Sequence, residues 1–239
     1  MSVAVEKAKE QVVKMGRNMS EAGLVTGTWG NLSIRVPKDK NIVITPSGMP
    51  YGALQVRDMV VLDMEGRVID GERKPSTEYL LHVAIYNARE DVLTIMHTHS
   101  VFASALAVAR KPIPPILEDM AQLVGGGVAV SEYARAGTRE LAHQAVLGLG
   151  RCNAVLLANH GLVGVGRSLD EVMQVCQIVE KSAQVYVWAD LIGSPAVLPD
   201  EEVGILRANY LEHYGQPGKG CVMSRLNREP QAGKLIDEG

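Results

Sequence analysis

The sequence has few cysteines, no excess of positive charge and no long apolar run, and each shortage argues against a class of protein. Its three cysteines, Cys152, Cys176 and Cys221, are widely spaced and form neither a disulfide framework nor a Cys-x-x-Cys zinc site. A formal net charge of −3 argues against nucleic acid as an electrostatic partner. No segment has the length and apolarity of a membrane span, and residues 1–7 lack the order of a signal peptide. We therefore predict a cytoplasmic, reduced protein with neither nucleic acid nor membrane as a partner.

The composition is sufficient for one sizeable core. Hydrophobic residues make up 46% of the 239 positions, and no repeat, low-complexity segment or linker divides the chain. We predict one mixed α/β domain over residues 1–215. Residues 216–239 contain glycine and proline and are predicted to form a mobile C-terminal tail.

Hydrophobic periodicity places the secondary structure. Helical spacing predicts helices over residues 3–24, after Pro75, over 101–109 and 138–149, and after Ser168 and Asp200. Alternating or apolar runs predict strands at 31–36, 41–45, 59–63, 68–70 and 92–96, and a further apolar run covers 154–157.

The chemical centre of the sequence is His97-Thr98-His99, directly after one apolar run. In an extended chain the side-chain period of two puts His97 and His99 on one face, close enough to bind one ion. Catalytic zinc uses three protein ligands, and His160, after the apolar run 154–157, is the candidate for the third. A bare His-x-His is as often a pair of polar strand-end residues. His160 and a nearby acidic residue favour a metal site.

The helix after Pro75 supplies that acidic residue. Glu78 and His82 are four positions apart and therefore share a helix face. A glutamate here also suits the positive end of the helix dipole. His82, considered alone, is more often a buried hydrogen-bonded residue than a ligand.

Three small polar loops offer hydroxyl or amide donors: Gly30-Asn31, Ser47-Gly48 and Ser76-Thr77. The last precedes a helix, and helix N-termini bind anions such as phosphate. Spacing alone favours the ordinary interpretation of each loop, a helix cap or a turn.

Five segments together resemble the class II aldolase/adducin family, in the order found there and over roughly residues 5–214. The segments are Gly30–Arg35, Ile44–Gly48, Pro75–Glu78, His97–His99 and Asn159–Gly161. The closest resemblance is to the L-fuculose-1-phosphate aldolase branch. It implies a single three-layer αβα domain around a largely antiparallel sheet, usually in a homotetramer with active sites at subunit interfaces. The implied activity is zinc-dependent cleavage of a ketose or deoxyketose 1-phosphate, such as L-fuculose 1-phosphate, to dihydroxyacetone phosphate and a small aldehyde.

The resemblance also assigns roles position by position. It makes His97, His99 and His160 ligands of zinc, with manganese or cobalt as other fits and no organic cofactor. Glu78 takes the place of the catalytic acid/base, which can also bind the metal. The phosphate pocket matches Asn31, Ser47, Gly48, Ser76 and Thr77. Tyr214 matches a tyrosine that reaches a neighbouring subunit's site and protonates the aldehyde end.

One position departs from the pattern of fuculose phosphate aldolases. Glu118 stands where they have a tyrosine, so it is either an acid/base toward another aldehyde or a solvated loop residue. Lactaldehyde, glycolaldehyde, acetaldehyde and a methylthio-aldehyde all stay open. The apolar Leu117 and Met120 of this loop favour deoxy sugars.

Four other functions occur in the same family. L-ribulose-5-phosphate 4-epimerases resemble Ser-Ser-Asp where this chain has Ser76-Thr77-Glu78, so the longer Glu78 favours an aldolase. A methylthioribulose-1-phosphate dehydratase would use the same metal with Glu118 as acid/base and stays open, as does an aldolase acting on that substrate. A non-catalytic adducin-like interaction module would not be expected to retain the three histidines and the glutamate.

Overall fold

A computed structural model describes residues 1–214. The predicted tail, residues 216–239, lies outside the described residues. The helices are α1 (Val3–Glu21), α2 (Tyr79–Ala88), α3 (Val101–Ala109), α4 (Glu118–Val124), α5 (Arg139–Leu149), α6 (Leu169–Ile192) and α7 (Asp200–His213). The strands are β1 (Asn31–Val36), β2 (Asn41–Ile44), β3 (Val60–Asp63), β4 (Val68–Asp70), β5 (Thr94–Thr98), β6 (Ala154–Leu157) and β7 (Gly161–Gly166). None of the helices within this range is long and apolar enough to cross a membrane.

The strands form one seven-stranded sheet in the order β4-β3-β2-β1-β5-β7-β6. Every neighbouring pair of these strands is antiparallel. Chain neighbours pair in four cases, and the long-range pairs β1–β5 and β5–β7 join the two halves of the sheet. The position of β5 between β1 and β7 therefore depends on pairings that no local sequence pattern specifies.

The two-residue period of the strands divides their side chains between two cores. Val43, Val61 and Met96 pack on one face with residues of α1, α3, α4 and α6. Ile44 and Ile95 pack on the opposite face with residues of α2 and α5. Each fully buried side chain of this size contributes about 1.5–3 kcal/mol relative to exposure. Helices thus cover both sheet faces, which confirms the predicted three-layer αβα fold.

Two predicted boundaries shift where tertiary contacts decide them. β5 extends through Thr98 because its backbone pairs with β1 and β7, so His97 lies within the strand. Glu78, and neither Ser76 nor Thr77, is the N-cap residue of α2, and its side chain makes no capping hydrogen bond. By contrast, α5 begins where its helix was predicted to begin: Thr138 is the N-cap residue, and its hydroxyl accepts from the N–H of Leu141.

Candidate active site

Strand pairing brings the predicted metal ligands together. In the register of the sheet, His97 on β5 lies beside Asn31 on β1 and beside Val163 on β7. His99 follows the end of β5, and His160 lies in the turn between β6 and β7. Residues far apart in sequence thus meet at one end of the central strands.

The β6–β7 turn fixes the position of His160. Asn159 has a φ of 55°, in the left-handed region that asparagine tolerates better than most residues. A Cβ atom at Gly161 would lie 2.3 Å from the carbonyl oxygen of Thr98. Glycine is required here because the turn and the end of β5 approach each other so closely. The Asn-His-Gly segment therefore delivers His160 to the His-x-His pair.

Three imidazoles and one carboxylate converge at this point. The Nε2 atom of His97 lies 2.9 Å from Nε2 of His99 and 3.2 Å from Nε2 of His160. Oε2 of Glu78 lies 3.2 Å from Nε2 of His97. One ligand atom from each of the four residues lies within 4.8 Å of all the others. We call these four residues, Glu78, His97, His99 and His160, the histidine–glutamate cluster.

The donor set of this cluster fits a divalent metal ion. Among residues 1–214, no hydrogen-bond donor reaches the buried Oε1 atom of Glu78, although Nε2 of His160 is 3.4 Å away. A buried carboxylate oxygen without a partner is costly, and a cation at the cluster would satisfy it. Nδ1 of His97 donates to the carbonyl oxygen of Leu162 at 2.9 Å, which leaves Nε2 free as a ligand.

The charges of the cluster depend on one another. Burial opposes ionisation of Glu78, but the neighbouring imidazoles of His97 and His160 and the amide of Asn31 hold the pKa of its carboxyl well below the usual range. Burial also opposes a charge on His97, whose pKa the Glu78 carboxylate nevertheless raises. Burial and the charge on His97 lower the pKa of His99 to about 3 and that of His160 to about 4. The surroundings therefore favour an ionised Glu78 carboxylate and neutral His99 and His160 rings, which are the forms that bind a metal ion.

A cavity of about 380 Å³ opens beside the cluster. Glu78 and His160 form one part of its wall. The rest includes all the residues predicted for the phosphate pocket: Asn31, Ser47, Gly48, Ser76 and Thr77. The structure thus places the predicted anion-binding loops and the histidine–glutamate cluster around one space.

Hydrogen bonds between the loops determine which donors an anion could use. The backbone N–H groups of Ser47 and Ser76 each donate to a carbonyl oxygen of the opposite loop at 3.0 Å. Within the described part of the chain, the N–H groups of Gly48 and Thr77 have no hydrogen-bond partner. Together with the hydroxyls of Ser47, Ser76 and Thr77, they can bind a phosphate.

The cavity also has walls that the sequence patterns did not predict: Thr28, Trp29 and Ala136. The Trp29 side chain is large yet 67% exposed, and its ring stacks near that of His99 with centroids 6.1 Å apart. The sequence did contain a signal for Trp29. A tryptophan in the polar, glycine-containing segment before β1 has little core to pack into, so an exposed side chain is expected there.

Two predicted site residues lie elsewhere. Glu118 is exposed at the first position of α4, and Tyr214, 73% exposed, follows α7; neither lines the cavity of the single chain. Helices α4 and α7 pack against each other. The roles of both residues stay predictions, and the family resemblance implies that Tyr214 reaches the site of a neighbouring subunit.

The prediction that Leu117 and Met120, in the loop at Glu118, favour deoxy sugars is wrong. Met120 is fully buried in the core, and Leu117 packs against the same core. These residues stabilise the attachment of α4, and Met120 presents no surface to an aldehyde. A preference for deoxy sugars therefore cannot rest on them.

An antiparallel αβα domain with three histidines and a glutamate beside polar loops has the fold and the candidate metal ligands that the family resemblance implied. A family model described as Class II Aldolase and Adducin N-terminal domain matches residues 10–187, and the chain belongs to that family. It is accordingly a lyase, as the sequence resemblance predicted.

Individual relatives agree with this class. A 5-deoxy-D-ribulose 1-phosphate aldolase of Bacillus thuringiensis serovar kurstaki is 37% identical over 212 residues, covering 89% of this chain and 99% of the relative. An L-fuculose phosphate aldolase of Escherichia coli O6:H1 is 34% identical over 201 residues, covering 84% and 92%. A solved structure of an L-fuculose 1-phosphate aldolase matches with a TM-score of 0.84 and 37% identity, over 88% of this chain and 97% of that one.

Proposed function

We propose that the protein is a zinc-dependent aldolase that reversibly cleaves a deoxyketose 1-phosphate to dihydroxyacetone phosphate and a small aldehyde. One observation carries the proposal: the histidine–glutamate cluster and the free N–H groups of Gly48 and Thr77 border the same cavity. A phosphate held by these donors would fix the reacting carbons against the cluster.

The ligand chemistry supports zinc. Imidazole and carboxylate ligands in this number suit zinc, and manganese or cobalt would also fit. His97, His99 and His160 would hold the ion, with Glu78 as a further ligand before substrate binds. Bound there, the ion supplies Lewis-acid stabilisation of negative charge. The reaction moves protons and electron pairs only, so no organic cofactor is needed.

The side chains divide the proton transfers between two ends of the substrate. In the condensing direction, Glu78 removes a proton from C3 of dihydroxyacetone phosphate, and C3 then forms a bond to the aldehyde carbon. Tyr214 of a neighbouring subunit donates a proton to the aldehyde oxygen. In cleavage the same transfers run in reverse, so the C3–C4 electron pair stays with C3 until Glu78 returns the proton.

Exposed apolar side chains support the assembly that this mechanism requires. The second half of α6 and the face of α7 expose Trp188, Leu191, Ile192, Ile205 and Leu211. Three of them, Trp188, Leu191 and Ile192, lie within five positions on α6, and clustered apolar exposure is typical of protein interfaces. We expect light scattering to give the mass of four chains of 25.8 kDa each. A stable single-chain mass in an active preparation would contradict an interface site completed by Tyr214.

The aldehyde end of the substrate is proposed to lie against Trp29. Its exposed indole lies beside His99, and the small side chain of Ala136 leaves space in the same cavity. An apolar wall favours a tail without hydroxyl groups because burying a hydroxyl without a partner costs free energy. This wall replaces Leu117 and Met120 as the reason for a deoxy preference.

A substrate panel tests the reaction. We expect the zinc-loaded protein to release dihydroxyacetone phosphate from at least one 5-deoxy or 6-deoxy ketose 1-phosphate. L-Ribulose 5-phosphate and methylthioribulose 1-phosphate belong in the same panel. An epimerase would invert C4 and release little fragment, and a dehydratase would lose water and keep every carbon in one product. Inversion of ribulose 5-phosphate without cleavage of any ketose 1-phosphate would overturn the aldolase assignment.

The same panel, repeated on Trp29→Ala, tests the aldehyde end. Loss of the indole should lower kcat/KM for deoxy substrates about tenfold, the effect of roughly 1.4 kcal/mol of apolar contact. Substrates with a hydroxylated tail should lose less. Leu147→Ala is the control because Leu147 is a large apolar side chain that is exposed on α5, outside this cavity. Equal losses of kcat/KM for deoxy and hydroxylated substrates would show that Trp29 does not determine this specificity.

A further inference from the structure

A buried chain of hydrogen bonds leads from Tyr86 to Glu78. The hydroxyls of Tyr86 and Ser33 are 2.8 Å apart, and the Ser33 hydroxyl lies 2.7 Å from Nδ1 of His82. Nε2 of His82 contacts Oδ1 of Asn31, and Nδ2 of Asn31 donates to Oε2 of Glu78 at 3.0 Å. Glu78 is the most exposed member of this chain, at 6%.

The chemistry of the groups gives the chain one direction. A carboxylate only accepts, so the amide N–H of Asn31 must face Glu78 and its carbonyl oxygen must face His82. Nε2 of His82 therefore donates, and Nδ1 accepts from the Ser33 hydroxyl. Burial and the charge on His97 lower the pKa of His82 to about 3, so the ring is neutral. From Ser33 to Asn31, every donor then points toward Glu78.

The chain also connects the elements that carry the site. His82 lies one turn after Glu78 on the side of α2 that faces the sheet. Asn31 and Ser33 lie two residues apart on β1, next to the strand of His97. The bond from His82 prevents the Asn31 amide from rotating by half a turn, which would set its oxygen against the carboxylate.

We infer that His82 is a positioning residue: by holding the Asn31 amide it orients the Glu78 carboxylate toward the histidine–glutamate cluster. For catalysis, that role rests on the proposed function, in which Glu78 is the acid/base. For metal binding, the role does not depend on the proposed function, since Glu78 belongs to the histidine–glutamate cluster whatever the substrate is. Neither the family resemblance nor the mechanism above assigns a role to His82.

Two substitutions at His82 test the inference through zinc affinity, which needs no substrate. His82→Leu removes the donor to Asn31, and His82→Gln keeps an N–H donor at about the reach of Nε2. Competition with a chromophoric chelator should show zinc affinity about tenfold lower in the leucine variant, the usual effect of losing an outer hydrogen-bond partner. The glutamine variant should recover most of that loss.

Tyr86→Phe separates positioning from general stability. It removes a buried hydroxyl at the far end of the chain but leaves the bond between His82 and Asn31 in place. We expect it to lower Tm and to leave zinc affinity unchanged. A tenfold weaker affinity in Tyr86→Phe, or unchanged affinity in a folded His82→Leu, would overturn the positioning role. If His82→Leu does not fold, the folded His82→Gln variant decides the question. A zinc affinity more than threefold weaker than that of wild type would then overturn the positioning role.

Proton exchange at C3 of dihydroxyacetone phosphate extends the test to catalysis. His82→Leu should lower the exchange rate tenfold or more at saturating zinc while KM stays near the wild-type value. If wild-type protein catalyses no exchange, the proposed function fails, and the zinc measurements still decide the role of His82.

Discussion

Replacing His97 and His99 together by alanine should abolish metal binding at the histidine–glutamate cluster. Wild-type protein purified without chelator is expected to hold about one divalent ion per chain, which elemental analysis measures. The double variant retains His160 and Glu78 alone, fewer than the three protein ligands that catalytic zinc sites typically use. The loss should be nearly complete because the remaining side chains no longer surround a common point.

Controls must separate loss of the site from loss of the fold. His97 is fully buried, so the double variant also creates a cavity, and circular dichroism with thermal unfolding should accompany the metal analysis. His143→Ala provides a matched histidine change, since His143 is exposed on α5 and outside the cluster. Full metal retention in a folded double variant would remove the basis of the metal site.

The local part of this site was predictable from sequence. An extended His-x-His segment puts both rings on one face whatever the rest of the chain does, and the structure confirms that His97 and His99 converge. His82 was predicted to be buried and hydrogen-bonded, and it is. Strand alternation likewise predicted β1 to β4 closely, and the apolar side chains of β1, β2 and β3 pack in the two cores.

The part that depends on register was not predictable from the residues alone. The neighbour of His97 on β1 is set by a pairing across more than sixty residues, so the bonds from Asn31 to Glu78 and His82 have no local signal. The family resemblance placed Asn31 only in a phosphate pocket. Trp29 was missed because helix and strand periods say nothing about a loop side chain that packs on a metal-ligand candidate.

Glu78→Gln should lower proton exchange at C3 of dihydroxyacetone phosphate by about a hundredfold or more, the usual scale of general acid–base catalysis. Glutamine keeps the size of the side chain and an oxygen that can accept from Asn31, but it cannot remove a proton. Exchange of isotopic label from solvent, measured on the zinc-loaded protein, reports this step without requiring the correct aldehyde.

Substrate binding should change much less than exchange in Glu78→Gln. The proposed phosphate donors, the N–H groups of Gly48 and Thr77, belong to the backbone and do not depend on the carboxylate. Inhibition by inorganic phosphate should therefore stay within a few-fold of wild type. Glu140→Gln, on the surface of α5, is the matched control for the loss of one negative charge. If exchange persists in Glu78→Gln and disappears in Glu118→Gln, the base is Glu118, and it must reach the site from a neighbouring subunit because it does not line the cavity of its own chain.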